Sequence, residues 1–124
     1  MRPLSRNCPT LIRSTLDSLG CDDIDLARAV QDLSGGQAAR VSLTRTLLTH
    51  PGVLLADEVD AGLDEENADK VADILRKAAD NGTAVVRIRH RKPDGRANRI
   101  MVLANGTISP LKTAQSAPST HTEV

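Results

Sequence analysis

Not one phenylalanine, tyrosine or tryptophan occurs among the 124 residues of this chain. Any core must therefore be assembled from aliphatic side chains, here 15 Ala, 15 Leu, 9 Val and 6 Ile. The large ring areas that dominate burial energy in most domains are missing. So are base-stacking platforms, aromatic cages and interfacial belts. Sixteen basic and sixteen acidic residues cancel to a formal charge of zero, which argues against a strongly basic nucleic-acid binder, and no nucleic-acid partner is expected. The longest apolar runs, Ile100–Ala104 and Val53–Ala56, fall far short of the ~20 residues that span a bilayer. The opening Met-Arg-Pro-Leu-Ser-Arg leads into no apolar stretch, so no secretory signal is expected. Cys8 and Cys21 form no CxxC pattern and are expected to be free thiols in a reducing compartment. The bulk reading is a soluble cytoplasmic protein of one domain, or part of one.

Hydrophobic spacing divides the chain. Leu11, Ile12, Leu16 and Leu19 suit one face of a helix over 10–19, with Gly20 as a stop. A shorter helical piece is expected over 24–30. Leu33-Ser-Gly-Gly-Gln37 opens a further helix through about Leu48. Val53-Leu-Leu-Ala56 reads as a strand buried on both faces, the kind found in parallel sheets. From Asp64 to Ala79, apolar residues recur at helical intervals. Acids stand at the start of this segment and bases near its end, as the helix dipole prefers. Asn81-Gly82 suits a left-handed cap. Residues 83–89 read as a second strand, and Ile100–Ala104, Asn105-Gly106, Thr107-Ile108 as a hairpin. Lys112–Val124 has the composition of a disordered tail. Strand, helix, strand implies an α/β layer with parallel pairing.

Two clusters stand out as candidate ligand sites. Adjacent glycines at the start of a helix cost about 1 kcal/mol each against alanine, which suggests close approach to the backbone there. A helix N-terminus with a serine hydroxyl and bare N–H groups suits an anion, although Ser34 could equally be an ordinary N-cap. Asp57 and Glu58 follow a buried strand at its carboxyl end, where open α/β sheets place their ligands. One carboxylate could hold Mg²⁺ and its neighbour could orient or deprotonate a water. A strand that simply ends in solvated acids is the plainer alternative.

The order of these elements resembles the ATP-binding cassette (ABC) ATPase family. Leu33–Gln37 matches the family's signature motif. Val53–Glu58 looks like its Walker B strand, Ala61–Asp64 like its D-loop, and His90 like its switch histidine. The resemblance runs from about residue 32 to residue 111. It implies a partial P-loop NTPase fold of ABC type: a short parallel sheet flanked by helices, with a C-terminal β-hairpin. Residues 1–32 would be part of a helical subdomain and 33–111 the C-terminal part of the ATPase core. The resemblance also implies ATP and Mg²⁺ as ligands, with Asp57 on the metal, Glu58 as general base and His90 on the γ-phosphate. Ser34, Gly35 and Gly36 would touch the γ-phosphate of a nucleotide held by an opposing subunit, with Gln37 close by, and Asp64 would lie at the subunit interface.

No GxxxxGK followed by Ser or Thr occurs in the sequence, and no glutamine suits the family's Q-loop. The implied partners are a P-loop-bearing subunit or N-terminal half, and a membrane permease, in a dimer at the inner face of the membrane. The expected function is a truncated or split ATP-binding subunit of an ABC transporter, with the isolated chain inactive. A non-catalytic module that lends its signature residues to a P-loop-bearing partner is the alternative. The chain departs from the family pattern at Val59-Asp60, where Pro-Thr is usual, and at Arg89-His90-Arg91, where Thr-His-Asp is usual. Seven acids in 57–69 and six basic residues in 87–99 read as solvated surface. Arg87 and Arg89 could also blunt an unpaired strand edge.

Overall fold

The computed structural model describes residues 8–111; the tail expected over 112–124 lies outside them. Helix α1, Cys8–Ser18, buries Leu16 and ends at Gly20, whose φ of +69° favours glycine. A Cβ at this position would also collide with Asn67 Oδ1. The guanidinium of Arg13 donates to the carbonyls of Cys21 and Ile24, which folds the following loop back on the helix.

The helical piece expected over 24–30 does not form; only a 3-10 turn, Val30–Asp32, is present. The Asp25 carboxylate accepts the Ala27 N–H at 2.9 Å, and the Arg28 N–H closes a turn on the Asp25 carbonyl. Such local bonds offer the backbone an alternative to a helix. Leu26 and Val30 are exposed, so no apolar face rewards helix formation here.

Helix α2, Gly35–Leu47, follows. Strand β1, Val53–Asp57, then crosses through helix α3, Glu65–Asp80, to strand β2, Ala84–Ile88. The strands pair in parallel, with Val53 opposite Ala84 and Asp57 opposite Ile88. α3 ends in a Schellman motif: the Thr83 N–H reaches the Ala78 carbonyl and the Gly82 N–H the Ala79 carbonyl, with Gly82 at φ +100°. Leu19, Leu43, Leu54, Ala56, Val71 and Leu75 form the main core, all aliphatic, between the helices and one face of the sheet. Leu16, Cys21 and Ile24 form a smaller cluster. Burial pushes the Cys21 thiol above its usual pKa; both cysteines are free. Strands β3, Met101–Ala104, and β4, Thr107–Pro110, make the expected hairpin. Asn105 and Gly106 both take positive φ at its turn.

The expectation that β1 is buried on both faces is wrong. Leu54 and Ala56 are buried, whereas Val53 and Leu55 are 62% and 74% exposed. Val86 and Ile88 of β2 are also exposed, and their partners in register are Leu55 and Asp57. Side chains alternate across a strand, and the core found among the described residues covers one face only.

A two-stranded sheet with one bare apolar face is expected to associate and to melt at low temperature when the chain is alone. Leu55→Thr with Val86→Thr should raise the monomer fraction in sedimentation velocity and leave the melting temperature within a few degrees of wild type. Leu75→Ala should cost about 2–5 kcal/mol, a large share of the ~5–15 kcal/mol typical of a whole domain, and should abolish the circular-dichroism melt.

Candidate functional site

Strand β1 delivers Asp57 and Glu58 to its carboxyl end. Glu58 leaves the strand with φ +48°, a region few non-glycine residues adopt. Its N–H donates to the Ile88 carbonyl at 3.0 Å and joins the ends of the two strands. From there the Glu58 carboxylate lies 2.8 Å from His90 Nε2, and both side chains are open to solvent. The structure therefore brings together two residues 32 positions apart, and it does so through the parallel register.

Asp57 is exposed and belongs to no ion pair among the described residues. Among the described residues no group of three or more His, Cys, Asp or Glu side chains gathers to hold a metal. Mg²⁺ in phosphate sites takes only one or two carboxylates and completes its shell with water and phosphate oxygens. A lone, open Asp57 fits that limited role.

Ser34 caps α2. Its Oγ accepts the Gln37 N–H at 3.2 Å, and Gln37 Oε1 accepts the Ser34 N–H at 3.0 Å, a reciprocal capping box. Gln37 Nε2 donates to Asp23 Oδ2 at 3.0 Å. The N–H groups of Gly35 and Gly36 have no acceptor among the described residues. They are the bare donors of a helix N-terminus. A Cβ on Gly35 would meet nothing within 4 Å, whereas one on Gly36 would stand 3.0 Å from Leu63 Cδ2. The start of α2 thus rests beside the 58–64 loop, yet none of its hydrogen bonds reaches Asp57, Glu58 or His90.

Asp64 caps α3, accepting from the Asn67 N–H at 2.8 Å and Asn67 Nδ2 at 3.0 Å. These bonds hold its carboxyl below the usual aspartate range. Asn67 also receives Arg40 Nη1 at 3.3 Å. Arg40 is buried and also donates to the carbonyls of Leu19, Gly20 and Gly36. One side chain thereby ties the loop after α1 to α2 and α3.

Sequence reasoning missed a second enclosed group of charges. Asp60 Oδ2 lies 3.2 Å from Arg87 Nη2 and 3.0 Å from Arg89 Nη2. Asp94 Oδ2 lies 2.7 Å from Arg87 Nη1 and 2.6 Å from Arg89 Nη1. The Asp60 side chain is 3% exposed and the other three 15%. Solvated surface is therefore the wrong description of these members of the acidic and basic runs. Arg87 and Arg89 do not screen an open edge either, because their guanidinium groups are occupied by Asp60 and Asp94. Two arginines two apart on a strand share a face, which is legible in sequence; their carboxylate partners are not. Asp60 and Arg89 both stand where the chain departs from the family pattern, and they contact each other.

Burial pushes the Asp94 carboxyl up, but the Arg96 N–H, the Arg87 hydrogen bond and the charges of Arg87 and Arg89 outweigh it and hold it below the usual aspartate range. A carboxyl depressed in the folded state contributes stability above its ordinary value and loses it as pH falls through the folded one. Asp64 acts in the same direction. Thermal melts should therefore show these contributions intact at about pH 5 and fading below about pH 4. Asp94→Asn should flatten part of that acid limb.

Comparison with known proteins gives the family. The ABC transporter family model matches residues 8–61. The methionine import ATP-binding protein MetN of Nocardia farcinica is 44% identical over 91 residues, which cover 70% of this chain and 27% of that protein. The Fe(3+) ions import ATP-binding protein FbpC 2 of Rhodococcus jostii is 33% identical over an alignment covering 98% of this chain and 36% of that protein. Among solved structures, an ATP-binding cassette of an ABC transporter superimposes with a TM-score of 0.64 at 26% identity, over 87% of this chain and 43% of that one. The chain spans about a third of the length of such curated relatives. With its motifs, its parallel β-α-β unit and these likenesses, the chain belongs to the ATP-binding cassette family and corresponds to part of a nucleotide-binding domain.

Proposed function

We propose that this chain supplies the signature, Walker B, D-loop and switch-histidine residues of a composite ATP site whose hydrolysis drives transport. The observation that carries the reading is the Glu58 carboxylate at the mouth of β1, 2.8 Å from His90 Nε2. Glu58 acts as general base toward the attacking water, and His90 orients that water and contacts the γ-phosphate. Asp57 holds the metal ion, which neutralises charge on the phosphates when bound. Ser34 and the bare N–H groups of Gly35 and Gly36 close over the γ-phosphate of a nucleotide held by an opposing subunit, with Gln37 alongside. Asp64 lies at the interface between the two subunits.

The phosphate-cradling loop comes from another polypeptide segment. The exposed Val53, Leu55, Val86 and Ile88 face supports this, because a sheet buried on both sides needs a second apolar layer. A permease is the further partner, and the site works in the cytoplasm at the inner face of the membrane. No helix among the described residues is long and apolar enough to cross that membrane. Residues 8–32 belong to the helical subdomain and residues 33–111 to the ATPase core.

The purified chain is expected to bind ATP weakly and to hydrolyse it negligibly. A P-loop-bearing ABC subunit added to it should restore Mg²⁺-dependent turnover, and Glu58→Gln should then reduce the rate about 10²–10⁴-fold. Unchanged turnover in that variant would reject the base assignment. Ser34→Arg should block ATP-driven assembly in size-exclusion chromatography by filling the space over Gly35.

A further inference from the structure

We infer that Asp60 and Asp94, bridged by Arg87 and Arg89, are positioning residues that hold Glu58 and His90 in register. The inference rests on the role proposed for that pair.

Glu58 and His90 sit on different loops, 58–64 after β1 and 89–96 after β2. Past the strand ladder, the backbone bond that joins the two chain ends among the described residues is Glu58 N–H to the Ile88 carbonyl. Beyond it the loops are joined by side chains alone. On one side, Arg87 and Arg89 clamp Asp60 of the first loop and Asp94 of the second. On the other, Arg91 donates to the Leu63 carbonyl. His90 lies between these braces in sequence, and its ring is 81% exposed, so little packing of its own fixes it. Asp94 is itself held by the Arg96 N–H at 3.1 Å, and Arg96 is anchored on α3 by Asp73 at 2.7 Å and Asp69 at 3.1 Å. The second loop is thus tied at both ends.

Two positive and two negative charges cancel within this enclosed group. Buried ion pairs seldom stabilise more than a well-packed apolar substitute, because desolvation offsets the attraction. Here one polar atom, Arg87 Nε, is buried without any partner, a further cost. Stability alone does not require an arrangement that leaves this atom unpartnered, and geometry gives it a further use. Each guanidinium is a planar fork that can meet two carboxylates at once, which sets the spacing between the two loops. That spacing is what a 2.8 Å contact between Glu58 and His90 requires.

The test is a long-range ¹H–¹⁵N correlation spectrum of the histidine side chains in the full chain, with His90 assigned through His90→Gln. Glu58→Gln defines the signature of a His90 ring without its partner. Asp60→Asn and Asp94→Asn should each move the His90 signals toward that signature, with the backbone amides of Leu54, Val71 and Leu75 unchanged. Arg89→Lys keeps the charge but not the fork, and should give a smaller shift in the same direction. His90 signals that stay at their wild-type positions in the folded variants would overturn the inference. So would loss of the Leu54, Val71 and Leu75 pattern in all three variants, since the network would then serve the fold as a whole. If Asp60→Asn alone fails to fold, Asp94→Asn and Arg89→Lys decide. No nucleotide enters the measurement, so its failure and the failure of the ATP-site reading are separate results.

Discussion

Parallel pairing between β1 and β2 places Asp57, Glu58 and Asp60 beside Arg87, Arg89 and His90. Strands that run the same way end at the same edge of the sheet, and the Asp57–Ile88 register sets their last residues side by side. The loops that follow, one acidic and one basic, therefore leave from a common edge. A parallel pair needs a crossover, and α3 provides it, with Asp64 capping its start and a Schellman motif ending it. The cap residue and the Glu58–His90 pair thus depend on the same connection.

The aliphatic core limits how much else can hold the loops. With no rings to reach across the layer, the main cluster takes in Val59 and Leu63 of the first loop at its margin but no apolar residue of 89–96. Polar side chains bridge the remaining distance. Arg40 ties α1, α2 and α3 together through carbonyls and Asn67, while Arg87 and Arg89 tie the two loops. Electrostatic bonding is directional and keeps a specified geometry where non-directional apolar packing is thin. The chain uses arginine at these points, and arginine offers several donors in a fixed plane.

Much of the local structure was legible. Apolar spacing gave away α1 and α3, Ser34 offered itself as a helix cap, and Asn105-Gly106 marked the hairpin turn. Each of these depends on contacts within a few residues, which sequence displays directly. The piece at 24–30 failed because Asp25 satisfies its own neighbourhood and Leu26 finds nothing to bury against. The Val53–Ala56 run looked buried on both faces because an apolar run carries no record of which neighbour covers which side.

By itself the sequence determined the family, the motif order, the type of each main element and the aliphatic character of the core. These follow from residue identity and short-range spacing, which no packing can change. Only the tertiary structure decided that Glu58 meets His90, that one face of the sheet lies bare, and that Arg87 and Arg89 turn toward Asp60 and Asp94. These contacts join residues separated by up to 32 positions. They form because strand register and loop closure bring those residues within a few ångströms, information that a linear order of charges does not contain.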